Sequence, residues 1–174
     1  MHANQTDHSE LERWERIEGI IYDMSPPPTS DHQRIVGNLF SSIHTYLKGK
    51  TCKVFVAPFG VWLDEEENGN YVEPDITIIC NSSKIQEKGC LGVPDVVMEV
   101  ISPSTGKKDR TVKLRRYRIS GVKECWLVDP MNLTVEVYQF ADNVFTEPQV
   151  YDKEDRIRIS IFDDLEIDLH DVFV

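Results

Sequence analysis

Two short stretches of the chain put carboxylates where they could do chemistry. Side chains two apart on a strand share a face, so Glu73 and Asp75 in YVEPDITII fall on one side of a strand, as do Asp95, Val97 and Glu99 in PDVVMEVIS. Glu99 is the informative residue. Val96, Val97, Met98, Val100 and Ile101 surround it, and an ionised carboxylate in a buried strand is costly unless it meets a cation. That cation is either a lysine or arginine in a structural ion pair or a metal. A helix over about Thr105 to Ser120 supplies one candidate. Turning each residue by about 100° around its axis gathers Lys107, Lys108, Thr111, Arg115 and Arg118 on one side. Lys113 falls opposite, flanked by Val112 and Leu114, with Asp109 and Tyr117 one turn before and after it. Lys113 therefore faces the sheet, where it either snorkels or serves as a positioned charge or proton carrier. A second Pro-Asp, Pro94-Asp95, is a poor partner for Glu99. Four residues along one strand separate the two by about 13 Å.

The elements that must position these groups follow from periodicity. Glu10 to Arg16 is polar and helix-permitting, and Ile17 to Met24 predicts two short strands or one bent at Gly19. After Pro26, Pro27 and Pro28, Ser30 and Gln33 have capping-box spacing, and Ile35, Val36, Leu39, Phe40, Ile43 and Leu47 recur at helical intervals. Strands are predicted over Cys52 to Leu63, Tyr71 to Cys80 and Val93 to Ile101. The second helix should end at Gly121 with a left-handed residue. Glu124 to Val128 follows, then a hairpin of Thr134 to Phe140 and Val144 to Tyr151 turning at Asp142-Asn143, and a mixed tail. Helix, three strands, helix and strands predict an α/β sandwich around a mixed sheet.

The 174 residues suit one domain, 1–174, and 40% hydrophobic with 28% charged residues is an ordinary globular composition. The four cysteines, at 52, 80, 90 and 125, form no C-x-x-C pair and are read as buried thiols rather than metal ligands. A net charge of −11 argues against coating nucleic acid by charge alone. Seven basic residues and one acidic one between Lys107 and Arg118 nevertheless make a local +6, either a solvated helix face or a phosphate-facing patch. No apolar run approaches the roughly 20 residues that span a bilayer, and the polar start MHANQTDHSE lacks a signal-peptide core. A cytoplasmic protein with no membrane association is expected.

Taken in order and spacing, Pro74-Asp75, Glu99 to Ser104, Asp109, Lys113, Tyr117 and the block GVKECWLVDP resemble a paralogue-rich bacterial "putative restriction endonuclease" family of the PD-(D/E)XK nuclease superfamily. The likeness extends to Glu18-Gly19, Met24-Ser25-Pro26, His32-Gln33 and Leu165 to Leu169, and so covers nearly the whole chain. It implies a restriction-endonuclease-like α/β (α+β) fold, a mixed β-sheet flanked by helices, with an additional N-terminal strand pair. It also implies that Asp75 and Glu99 converge on Mg²⁺ or Mn²⁺, with the Val100 carbonyl a further ligand. The superfamily pattern wants a lysine two residues after the glutamate, where this chain has Ile101. Related members carry that lysine on the following helix, and Lys113 points the right way for it. Glu18 resembles the extra N-terminal acid of many such sites; the other reading is a surface hairpin carboxylate. His32 matches a position near the site, as either a structural or a functional residue, and Tyr117 is expected beneath Lys113.

The expected activity is metal-dependent hydrolysis of DNA phosphodiester bonds by Asp75, Glu99, Lys113 and Glu18. Lys107, Lys108 and Arg110 would line a weak, salt-sensitive approach for DNA. The resemblance further implies a homodimer. Two other readings stay open: an inactive nuclease fold serving as a dimerising, partner-binding module, and a phosphoesterase acting on RNA or nucleotides.

Overall fold

The computed structural model describes residues 13–24, 26–66, 68–141 and 147–174. A central six-stranded sheet holds the core. From one edge to the other it runs β12 (Gln149–Asp152), β11 (Thr134–Gln139), β10 (Glu124–Asp129), β9 (Val96–Val100), β6 (Ile76–Ile79) and β3 (Lys53–Val56). Only β9 and β10 are parallel in this sheet; the other pairs are antiparallel. Parallel neighbours require a crossover. Here it is helical: α2 (Gly106–Lys108), a π-helical turn over Asp109–Lys113 and α3 (Leu114–Ser120) run on without a break.

The period-two alternation of β9 and β10 divides the interior. Val96, Met98, Val100, Trp126 and Val128 pack on one side with Ile35, Leu39 and Ile43 of α1 (Ser30–Leu47). Val97, Ile101, Cys125 and Leu127 pack on the other with Leu114 and Tyr117 of α3. The same cluster contains Ile17, Val61 and Val72 of a second sheet, which therefore closes over that face. Its order is β2 (Ile20–Asp23), β1 (Trp14–Ile17), β5 (Tyr71–Val72), β4 (Gly60–Trp62), β8 (Gly89–Leu91) and β7 (Ile85–Gln86). A small pair, β13 (Arg156–Arg158) with β14 (Glu166–Asp168), and a terminal helix α4 (Leu169–Phe173) complete the chain.

The mixed sheet, the flanking helices and the N-terminal strand pair agree with expectation, as does Gly121, left-handed at φ 97° where α3 stops. Several local assignments change. Glu10 to Arg16 is not helical where it is described, because Trp14 to Ile17 pairs with both β2 and β5. The two long strands each break at a proline and feed different sheets. Pro58 divides β3 from β4, and Glu73-Pro74-Asp75 divides β5 from β6, so Glu73 and Asp75 do not share a strand face. The helix cap is Thr29, one residue earlier than expected, whose side chain accepts the His32 N–H. β11 and β12 form the predicted hairpin, whose Asp142-Asn143 turn lies outside the described residues.

Two of the four cysteines are not thiols. Cys52 and Cys80 stand one step beyond the Lys53↔Ile79 pair and form a disulfide, while Cys90 and Cys125 are free and buried. The bridge closes a loop with a sequence separation of 28 residues. On chain entropy alone that is worth about 3–4 kcal/mol. The Cys52→Ser, Cys80→Ser double variant should therefore unfold at clearly lower urea than the oxidised protein; equal midpoints without reductant would contradict the pairing.

Candidate active site

Asp75 sits just before β6 and one residue outside the Ile76↔Met98 pair, which places it against Glu99 of the neighbouring strand. Its Oδ2 accepts the Val100 backbone N–H at 2.8 Å, fixing the carboxylate to the end of β9. The same oxygen lies 3.2 Å from His32 Nε2, at the start of α1. Burial alone would lower the imidazole's pKa, but the bond to Asp75 and its charge outweigh that and raise it.

Glu99 lies deeper, with 4% of its surface exposed. Its Oε1 is 2.6 Å from Lys113 Nζ and accepts the Tyr117 hydroxyl at 2.5 Å. Lys113 is also buried, and its ammonium donates to Glu15 Oε1 at 2.8 Å. Asp109, one turn earlier on the same helix, is 3.9 Å away. The other oxygen of Glu15 takes Lys108 Nζ at 2.8 Å, and Glu15 Oε1 also accepts the Glu73 N–H at 3.0 Å. One buried network thus joins β1, β9 and the crossover helix.

The carboxylates in this network are driven apart. Burial pushes Glu99 up; Lys113 opposes this only in part, and Asp109, Asp75 and Glu15 add to it, leaving Glu99 at about 8. Burial would also raise Glu15, but Lys113 and Lys108 together hold it down at about 2. Burial works against charge on Lys113 too, and the two glutamates overcome it, keeping the ammonium charged. Tyr117, pushed up by burial and by Glu99, stays a hydrogen-bond donor. The outcome is a fixed cation beside a carboxylate that can hold or release a proton near neutral pH.

The π turn explains part of the geometry. A turn closed five residues apart, with Leu114 N–H bonded to the Asp109 carbonyl, swings residues five apart toward the same side. Lys108 and Lys113 therefore both reach Glu15. A wheel drawn at α-helical pitch separates them and leaves Lys108 in water. Arg110 is likewise engaged within the protein, with Glu136 and with Asp129 Oδ2 at 3.4 Å. Of the three residues expected to line a nucleic-acid approach, Lys108 and Arg110 are committed to internal ion pairs, and Lys107 remains exposed.

The structure brings together Asp75, Glu99 with its neighbour Val100, and Lys113. Glu18 does not join them. It occupies the β1–β2 turn with φ 52° and pairs with Arg115, so the N-terminal acid that meets Lys113 is Glu15. The signal for Glu15 was present in W-E-R-I, where it shares a strand face with Ile17. Glu15→Gln should therefore lower any hydrolytic activity that depends on Lys113 by about tenfold or more, since it frees Lys113 from half its anchoring. Glu18→Gln, which alters one exposed pair, should leave activity within about twofold. Equal losses in the two variants would reverse this assignment.

The donor set fits a small hard cation. Among the described residues no three His, Cys, Asp or Glu side chains form a cage able to hold a metal unaided. Mg²⁺ and ions like it need none, taking one or two carboxylates and keeping several waters. Asp75 Oδ1 and Glu99 Oε2 take no hydrogen bond among the described residues, and four carboxylates here face only two lysines and the Asp75-bound imidazole. The crowding of acids that keeps a proton on Glu99 would equally accommodate a cation in that proton's place.

Comparison with known proteins gives this arrangement a setting. A solved structure of "a putative nuclease belonging to DUF820" from Anabaena variabilis superposes with a TM-score of 0.74 and 25% sequence identity, over 92% of this chain and 89% of the other. Two uncharacterized proteins of Synechocystis are 28% and 25% identical, over 78% and 80% of this chain and 76% and 72% of their own lengths. The Uma2 family profile, described as "Putative restriction endonuclease", matches residues 4–170. With that span covering both sheets, the crossover helix and the carboxylate–lysine network, the chain belongs to the Uma2 family.

Proposed function

We propose that this protein is a divalent-metal-dependent endonuclease that hydrolyses phosphodiester bonds of DNA at Asp75, Glu99 and Lys113. The observation that carries the reading is the contact of Lys113 Nζ with Glu99 Oε1 at 2.6 Å, beside Asp75, which the Val100 backbone N–H holds at the same end of β9. A lysine displaced from the strand to the crossover helix thus reaches the carboxylate that a strand lysine would serve.

Asp75 and Glu99 would hold Mg²⁺ or Mn²⁺, with the Val100 carbonyl as a further oxygen donor. Such an ion supplies polarisation of the phosphate and a more acidic bound water. The rest of the work falls to the chain. Lys113 presents a fixed ammonium toward charge developing on the phosphate, and its position is set by Glu15 and Glu99 rather than by solvent. Tyr117 keeps Glu99 turned toward Lys113 through its hydroxyl. His32 holds Asp75 from the side of α1, leaving Oδ1 open. DNA binding should be weak, because the approach offers few uncommitted cations on an acidic chain.

A plasmid-nicking assay with Mg²⁺, Mn²⁺ or EDTA tests this. Wild type should nick in either metal and not in EDTA, and Asp75→Asn should lose at least about 100-fold in rate. Equal background nicking by wild type and Asp75→Asn would remove the enzymatic reading and leave the partner-binding one.

A further inference from the structure

The outer face of the second sheet carries a feature that the candidate active site does not use. Strand register sets Arg16 opposite Tyr71, Tyr71 opposite Trp62 and Trp62 opposite Leu91, one residue from each of β1, β5, β4 and β8. Directly opposed residues share a face, so the four form a row across the sheet, about 14 Å wide at ordinary strand spacing. Trp14 extends it, its ring centroid 5.1 Å from that of Tyr71, while the Trp62 and Tyr71 centroids are 4.9 Å apart.

The rings are held in place. A Cβ on Gly60 would meet Tyr71 at 2.7 Å and Trp62 at 3.2 Å, so both rings lie over bare backbone. The Tyr71 hydroxyl donates to Glu73 at 2.7 Å, and Arg13 clamps the same carboxylate. The Arg16 guanidinium, 5.3 Å from the Trp14 ring, marks one end; at the other the exposed pair Glu87 and Lys88 lies beside Trp62 and Leu91, where the surface dips into a hollow of about 330 Å³. β1 also connects this face to the candidate active site, since Trp14 and Arg16 point outward and Glu15, between them, points in to Lys113.

We propose that this face stacks the unpaired bases of a single DNA strand beside the candidate active site; the proposal rests on the nuclease reading. Rigid aromatic rings on a sheet surface suit bases, because every base has a π-face, and a row of this width takes about two or three of them. Five side chains are far fewer than the roughly 20–30 residues that each partner contributes to a stable protein interface. With few cations in reach, affinity should come from stacking and depend only weakly on salt.

Fluorescence anisotropy of a labelled oligothymidylate of about a dozen nucleotides, in EDTA, tests this without cleavage. Wild type should bind, Trp62→Leu and Tyr71→Leu should each weaken binding by about tenfold, and Trp62→Phe should largely restore it. Trp62→Leu should leave the salt slope and blunt-duplex binding unchanged, whereas Lys88→Ala should flatten the slope. Circular dichroism identifies any variant that fails to fold. No binding by wild type, equal binding by folded Trp62→Leu and Tyr71→Leu, or a Trp62→Leu effect confined to self-association in sedimentation would overturn the proposal. Asp75→Asn separates the two claims, because it should bind the oligonucleotide like wild type and nick nothing. Normal oligonucleotide binding by Trp62→Leu, with metal-dependent nicking intact in wild type, would sink the stacking surface alone.

Discussion

Lys113→Met is expected to lower nicking by at least about 100-fold and the stability of the metal-free chain by about 3–5 kcal/mol. Methionine matches the length of the lysine stem and fills the same buried space, so the change isolates the charge. The loss in stability arises because Lys113 is 2% exposed and bonded to two glutamates at once, and its removal leaves the ionised Glu15 short of a cation in the interior. Glu99, displaced to about 8, already keeps a proton at neutral pH and tolerates the loss, but Glu15 cannot gain one cheaply while Lys108 still holds it low. Adding Glu15→Gln to Lys113→Met should therefore return a large part of the stability and none of the activity. Urea unfolding beside nicking rates gives both readouts. Activity recovering together with stability would mean that Lys113 acts through the fold and not on the phosphate.

Glu99→Gln should separate the same two properties in the opposite way, abolishing nicking while raising stability above neutral pH. Below its folded value of about 8 Glu99 keeps a proton that the unfolded chain, with an ordinary glutamate near 4.3, has already released. The folded state binds more protons in that window, so this contribution to stability is full below the unfolded value and falls as pH rises toward 8. Glutamine carries no such dependence and keeps the Lys113–Glu15 pair. The two proteins should melt together near pH 5. The glutamine variant should melt several degrees higher at pH 8.5, in EDTA, from a difference on the order of a few kcal/mol. Glu15 runs the other way, its contribution lost as pH falls toward 2, outside this window. A pH-independent difference, or a less stable glutamine variant at pH 8.5, would contradict the burial of Glu99 among other carboxylates.

The parts legible in the sequence were those set by local period. Ile35, Leu39 and Ile43 lie four residues apart and could only be one face of a helix, and Val96 to Val100 could only be a buried strand with a charge in it. From that followed Glu99 and, across the helix axis, the inward direction of Lys113. The parts that were not legible depend on what the chain meets far away. Glu15 and Lys113 are separated by 98 positions, and nothing near Glu15 announces its partner. Lys108 turns inward because the π turn interrupts the α-helical pitch that would leave it in water. Glu73 and Asp75 looked like neighbours on one face until Pro74 sent β5 and β6 to different sheets. Cys52 and Cys80 meet only because β3 pairs with β6.

Crystals soaked in Mn²⁺ and measured for anomalous scattering test the central claim most directly. The account predicts a peak about 2.1 Å from oxygens of both Asp75 and Glu99, next to Lys113 and absent from Asp75→Asn crystals. A peak that touches neither carboxylate, or a pocket that stays empty at saturating Mn²⁺, would contradict it.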